Sequence, residues 1–147
     1  MRYFFILALS LNFLYMNSQE NLPFYEISNY PESYSEAEIV GRMIDGLGFR
    51  YHWATEGLTE EDLNFRLPND SRSSIETIGH IYDLSNMILN TALNTPVEKK
   101  SIEGIEFKEI RKKTLFNLKE ASDIFKKTKN FDDYSIVFIR NSKKVEY

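Results

Sequence analysis

Three stretches of the chain place apolar residues at steps of three and four, and that period confines the body of the protein to helices packed side by side. The first opens at Ser35-Glu36-Ala37-Glu38, a capping-box pattern that satisfies first-turn amides. It carries Val40, Met43, Ile44, Leu47, Tyr51 and Ala54 on one predicted buried stripe and stops at Gly57. Gly46 and Gly48 weaken its middle by about 1 kcal/mol each relative to alanine, so packing or function is expected to compensate. A short helical turn follows at residues 59–63, again with a capping pattern, before Leu67-Pro68-Asn69-Asp70 breaks the chain. The second long helix is predicted over residues 73–93, with Ile75, Ile78, Ile81, Tyr82, Ser85, Ile88, Leu89 and Ala92 on one face. A narrower line of His80, Leu84 and Met87 predicts that this helix meets neighbours on more than one side, as an interior member of a bundle. The third is predicted over residues 107–127, with Phe107, Ile110, Thr114, Leu118, Ala121 and Phe125 inward and a lysine-rich solvated face outward.

The two ends read differently. Arg2 precedes an apolar run of fourteen residues, Tyr3 to Met16, followed by the polar Asn17-Ser18-Gln19. As a helix that run reaches roughly 21 Å against the roughly 30 Å of a hydrocarbon core, so residues 1–19 read as a signal peptide rather than a span. Export to a periplasmic or secreted location is the expectation, with cleavage after Ser18 and no stable membrane span afterwards. Residues 21–34 hold two prolines and no helical period, which predicts an extended arm whose tyrosines pack on the body. Beyond Asn130 the period changes to two, giving a strand at residues 135–140, a turn at 141–144 and the start of a second strand at 145–147. That half-made hairpin, beside three helices, makes the stop at Tyr147 look premature.

Composition narrows the partners. Eighteen basic against twenty-two acidic residues give a net charge of −4 with no basic stripe, which argues against nucleic acid. The chain has no cysteine, which removes disulfides, thiolate nucleophiles and cysteine metal sites together. No phosphate-binding glycine loop, serine elbow, HExxH or EF-hand pattern occurs, and Glu60, Glu61 and Asp62 are adjacent residues pointing different ways from a helix.

The run GLGFRYHWATEG at residues 46–57 with LTEED after it, and SRSSIETIGHIYDLS at residues 71–85, resemble the DinB-like family. The likeness covers roughly residues 36–147, and its most specific element is the histidine within TIGHI. The resemblance implies an all-α, up-and-down four-helix bundle, here lacking its last helix and carrying a C-terminal β-hairpin remnant, so that residues 20–147 form a partial DinB-like domain. It further implies a thiol-transferase or hydrolase-like fold with a divalent metal, zinc or nickel, held by a second-helix histidine and an H-x-x-x-H pair on the last helix, and used for thiol transfer or isomerisation with low-molecular-weight thiols. Only His80 matches a ligand position. With the H-x-x-x-H pair missing, the chain as given is expected to hold no metal and to be inactive.

Each singled-out residue also has a plainer reading. His80 can be a helix histidine lying against Leu84 and Met87, and Asp83 can orient its ring or be surface. His52 reads as structural, Trp53 as a core or bundle-edge anchor and Tyr82 as packing. Two functions therefore stand side by side: a DinB-like metalloprotein with an incomplete histidine site, or a non-catalytic binding and assembly module whose open bundle side accepts a partner, a homodimer among them.

Overall fold

Among the described residues, side-chain caps start three of the four helices. Ser35 Oγ accepts from the Glu38 amide at 3.3 Å and opens α1 (Glu36–Ala54). Thr59 and Asp62 cap each other's backbone at the start of the short α2 (Glu60–Asn64), and Ser73 and Glu76 do the same for α3 (Ser74–Ala92). Each reciprocal pair satisfies amides that helix geometry leaves without partners. The last helix, α4 (Phe107–Phe125), has no side-chain cap at all, and its order rests on tertiary packing. An antiparallel hairpin of β1 (Val137–Arg140) and β2 (Lys143–Glu146) completes the fold. The computed structural model describes residues 21–31, 33–97, 101–140 and 143–147, so the signal-peptide reading of residues 1–19 lies outside the described residues. No helix among the described residues is long and apolar enough to cross a membrane.

The interior member is α4, not the helix that carries His80. It packs against both α1 and α3, while those two scarcely touch each other. Leu115, Leu118 and Ala121 are 0% exposed, and Thr114 and Ser122 are equally buried. Sequence period found the line through Ile110, Thr114, Leu118, Ala121 and Phe125. The adjoining line of Arg111, Leu115 and Ser122 is also buried, and together they make a face wide enough to serve two neighbours. Two of those three extra positions are polar, which is why an apolar count passes over them.

The stripe predicted for α1 is rotated in the folded chain. Ala37, Gly41, Ile44, Gly48 and Tyr51 face the core, whereas Met43 is 70% and Leu47 41% exposed. The glycines explain the rotation. A Cβ on Gly41 would lie 2.3 Å from Lys126 Cγ, and one on Gly48 would lie 2.4 Å from the Phe24 ring, so each hydrogen leaves room for a side chain crossing the helix. Phe24 is the residue by which the arm docks. Tyr25, Tyr30 and Tyr34, expected to pack on the body, remain largely exposed, although the Arg42 guanidinium sits 5.0 Å from the Tyr30 ring centroid.

The hairpin is paired further than its sequence period suggests. Register runs from Val137 opposite Glu146 to Arg140 opposite Lys143, and Ile136 and Tyr147 exchange both backbone hydrogen bonds at 3.0 Å. The second strand therefore begins at Lys143, within the segment expected to turn. Val97 N–H donates to the Val137 carbonyl at 2.6 Å and ties the hairpin to the loop after α3. Phe131 and Tyr134 pack on the Phe125 ring at centroid distances of 5.7 and 5.2 Å, covering the C-terminal end of α4.

Candidate binding groove

Because α4 separates α1 from α3, a groove remains between those two helices on the side away from much of α4. Leu47 and Ala54 of α1 form one wall, and Ile81, Leu84 and Ile88 of α3 form the other. Tyr51, Ile78 and Leu118 make the floor, and Leu58, Phe65 and Leu67 reach over one end from α2 and the loop that follows it. The hollow measures about 750 Å³ and its lining is overwhelmingly apolar. That volume lies within the roughly 300–1,000 Å³ typical of small-molecule pockets. Leu47, Leu84, Phe65 and Leu67 are 41%, 40%, 61% and 62% exposed, so a contiguous apolar surface faces solvent here rather than scattered single residues.

The narrow second line on α3 thus has a different meaning from the one its period suggests. Leu84 and Met87 line the open groove instead of meeting another helix. His80 lies on the same line, one turn before Leu84, and is exposed. It makes no hydrogen bond or ion pair among the described residues, and neither does Asp83. The glycine before it, Gly79, is buried for a packing reason: a Cβ there would lie 2.3 Å from Ile102 Cδ1 in the loop leading to α4.

The second histidine is fully accounted for as structure. His52 is 5% exposed, its Nδ1 lies 2.9 Å from the Pro23 carbonyl, and its Nε2 lies 3.9 Å from Glu56 Oε2. It thereby fixes the arm beside α1. Trp53 acts as an edge anchor: 45% exposed, it donates from Nε1 to the Tyr25 carbonyl at 3.2 Å. Tyr82, at 4% exposure, belongs to the core.

A second hollow, about 870 Å³, opens beside His52, Glu56 and Arg111. Its central cation is already committed. Arg111 Nε donates to Thr55 Oγ1 at 2.9 Å, and Nη2 donates to the His52 carbonyl at 3.0 Å and to the Glu56 carboxylate. These bonds clamp the C-terminal end of α1 onto α4 and satisfy a guanidinium that would be costly to bury alone. The groove between α1 and α3 contains no such internal closure.

No protein-family model, curated protein or solved structure matches this chain.

The residues present do not fit a three-histidine metal centre. The chain contains two histidines. One is spent on the Pro23 carbonyl, and among the described residues no three or more histidine, cysteine, aspartate or glutamate side chains converge. One imidazole supplies too few donors for the tetrahedral site that zinc requires.

One polar group near the groove floor stands out. Among the described residues, the Tyr51 hydroxyl is the buried side-chain polar atom without a hydrogen bond of good geometry. Thr114 lies beside it, with its own hydroxyl donating to the Ile110 carbonyl at 2.9 Å. Burial raises the Tyr51 pKa above its ordinary value, against the smaller opposing pull of Thr114 and Arg111, so the phenol stays protonated near neutral pH.

Proposed function

We propose that this protein is a non-catalytic binding module, a helical bundle of DinB-like type that takes up an apolar partner or ligand in the groove between α1 and α3, and that it acts after export. One observation carries the binding reading: the apolar walls of α1 and α3 stand apart over Leu118 with nothing among the described residues filling the space between them. Exposed apolar area of that continuity favours association with something that removes it from water. The metal-dependent reading has weaker support, because His80 is exposed and the second histidine is committed elsewhere. The export reading rests on Arg2 and the apolar run behind it.

An environment-sensitive anilinonaphthalene dye provides the direct test. Dye should bind one site per chain with enhanced fluorescence, and Leu84→Arg, which places a charge on the groove wall, should abolish that enhancement. Ile139→Arg, on the exposed hairpin, should leave it unchanged. Equal binding to both variants, with circular dichroism showing both folded, would exclude the groove as the binding surface.

A further inference from the structure

The groove's margin carries a charge that its apolar lining does not require. Arg50 on α1 and Arg72 just before α3 both line it, and the lining contains no aspartate or glutamate. Both arginines are exposed. Arg50 donates from Nη1 to the Gly46 carbonyl of its own helix at 3.0 Å, which leaves its remaining N–H groups undirected. Neither guanidinium forms an ion pair among the described residues.

The contrast with the other arginines is informative. Arg66 pairs with Glu76 at 2.7 Å, Arg111 pairs with Glu56, and Arg42 caps the Ser28 and Asn29 carbonyls at 2.8 and 2.7 Å. Among the described arginines, Arg50 and Arg72 are the two that line the groove, and neither is held by a carboxylate. A guanidinium offers a fork of donors that matches a carboxylate.

Resting on the binding reading above, we propose that the groove holds a free single-chain fatty acid. Its alkyl chain lies between Leu47 and Leu84 over Leu118, and its carboxylate is held at the margin by Arg50 and Arg72. Charge complementarity selects this occupant. A cationic amphiphile would meet two unpaired guanidiniums, and a purely apolar one would leave them without the anion that the margin is built to accept. The long apolar walls provide the larger share of the binding free energy, and the arginines provide discrimination between head groups.

The test is calorimetric titration of the full chain with dodecanoate and with dodecyltrimethylammonium, both below their micelle concentrations. Dodecanoate should bind one per chain and more tightly by about tenfold or more, the size of one charge-assisted hydrogen bond. The double variant Arg50→Gln, Arg72→Gln should bring the two affinities close together, and Leu84→Arg should weaken both. Equal binding of the two amphiphiles by the wild-type chain, or indifference of dodecanoate to the double variant, would overturn the proposal. So would preferential binding to phosphatidylglycerol vesicles over free dodecanoate, which would make a bilayer the partner. Failure of both amphiphiles with dye still bound in the groove would overturn the fatty acid alone, whereas loss of dye binding as well would overturn the binding reading beneath it.

Discussion

Leu115→Ala is expected to lower the unfolding free energy by about 3 kcal/mol, within the roughly 2–5 kcal/mol that truncation of a buried leucine costs. Leu84→Ala is expected to change it by less than about 1 kcal/mol, because a side chain already in water loses little hydrophobic burial. Both are leucines on long helices, but Leu115 is 0% exposed at the centre of α4 and Leu84 is 40% exposed on the groove wall. Urea denaturation of the two variants measures the difference. A bundle with the His80 helix at its centre would make the two substitutions similarly costly.

The second large effect lies where α1 meets α4. Asp45 is 3% exposed, yet it accepts from Ser122 Oγ at 2.6 Å and from Lys126 Nζ at 2.5 Å. Lys126 reaches it by crossing α1 at Gly41, where the absence of a Cβ opens the path. Burial alone would raise the Asp45 pKa. The hydrogen bonds from Lys126 and Ser122 and the Lys126 charge outweigh it, so the carboxyl titrates below its ordinary 3.8. Asp45→Ala leaves Lys126 without its acceptor and Ser122 with the Gly41 carbonyl at 3.1 Å in place of the carboxylate, and is expected to cost about 3 kcal/mol near neutral pH, the low end for breaking a buried pair, since Lys126 can still reach solvent.

The sign of the accompanying pH effect follows from the lowered pKa. Below the unfolded-state value the unfolded chain binds a proton that folded Asp45 refuses, so its contribution is complete above that value and is lost as pH falls through the folded one. Asp45→Ala should therefore flatten the acid limb of the stability curve and leave its shape above about pH 5 unchanged. Part of the slope should survive in the variant. The exposed capping carboxylates Asp62 and Glu76 are also lowered, the first by Thr59 and the second by the Ser73 amide with help from Arg66.

Three of the helix starts were legible because their caps are local, and uncapped α4 was legible from its apolar period alone. Ser35, Thr59 and Ser73 each announce a start through a hydroxyl and an acid three residues on, and all three starts occur there. Facing was legible only where the buried side is apolar. On α3 the main stripe through Ile78, Tyr82 and Ala92 is buried as its spacing indicates. On α1 the core side contains two glycines and Asp45, so an apolar count selected Met43 and Leu47 on the neighbouring face.

The same blindness to polar interior residues hid the central position of α4. Arg111 and Ser122 are buried because Asp45 of α1 and Thr55 and Glu56 just beyond its end complete them, and no spacing within one helix records partners so distant in the chain. His80 could be singled out as unusual, but its exposure beside an open groove depends on how three helices arrange themselves. Arg50 and Arg72 carry no motif, and their common placement becomes visible only once α1 and the loop before α3 are brought together around the groove.

The absence of cysteine from the chain makes a single measurement decisive for the open groove: the rate of thiol labelling in folded, dilute Leu47→Cys, Leu84→Cys and Ser85→Cys chains. Leu84 and Ser85 are neighbours on α3 that both border the groove, yet Ser85 is 1% exposed at its base and its hydroxyl accepts from Asn117 Nδ2 at 3.1 Å across the interface with α4. An open groove predicts rapid labelling at positions 47 and 84 and protection at 85, with dye slowing the first two. Protection at 47 and 84 as deep as that at 85 would mean that the walls of α1 and α3 are closed against each other, and would contradict the assignment of the groove as the binding surface.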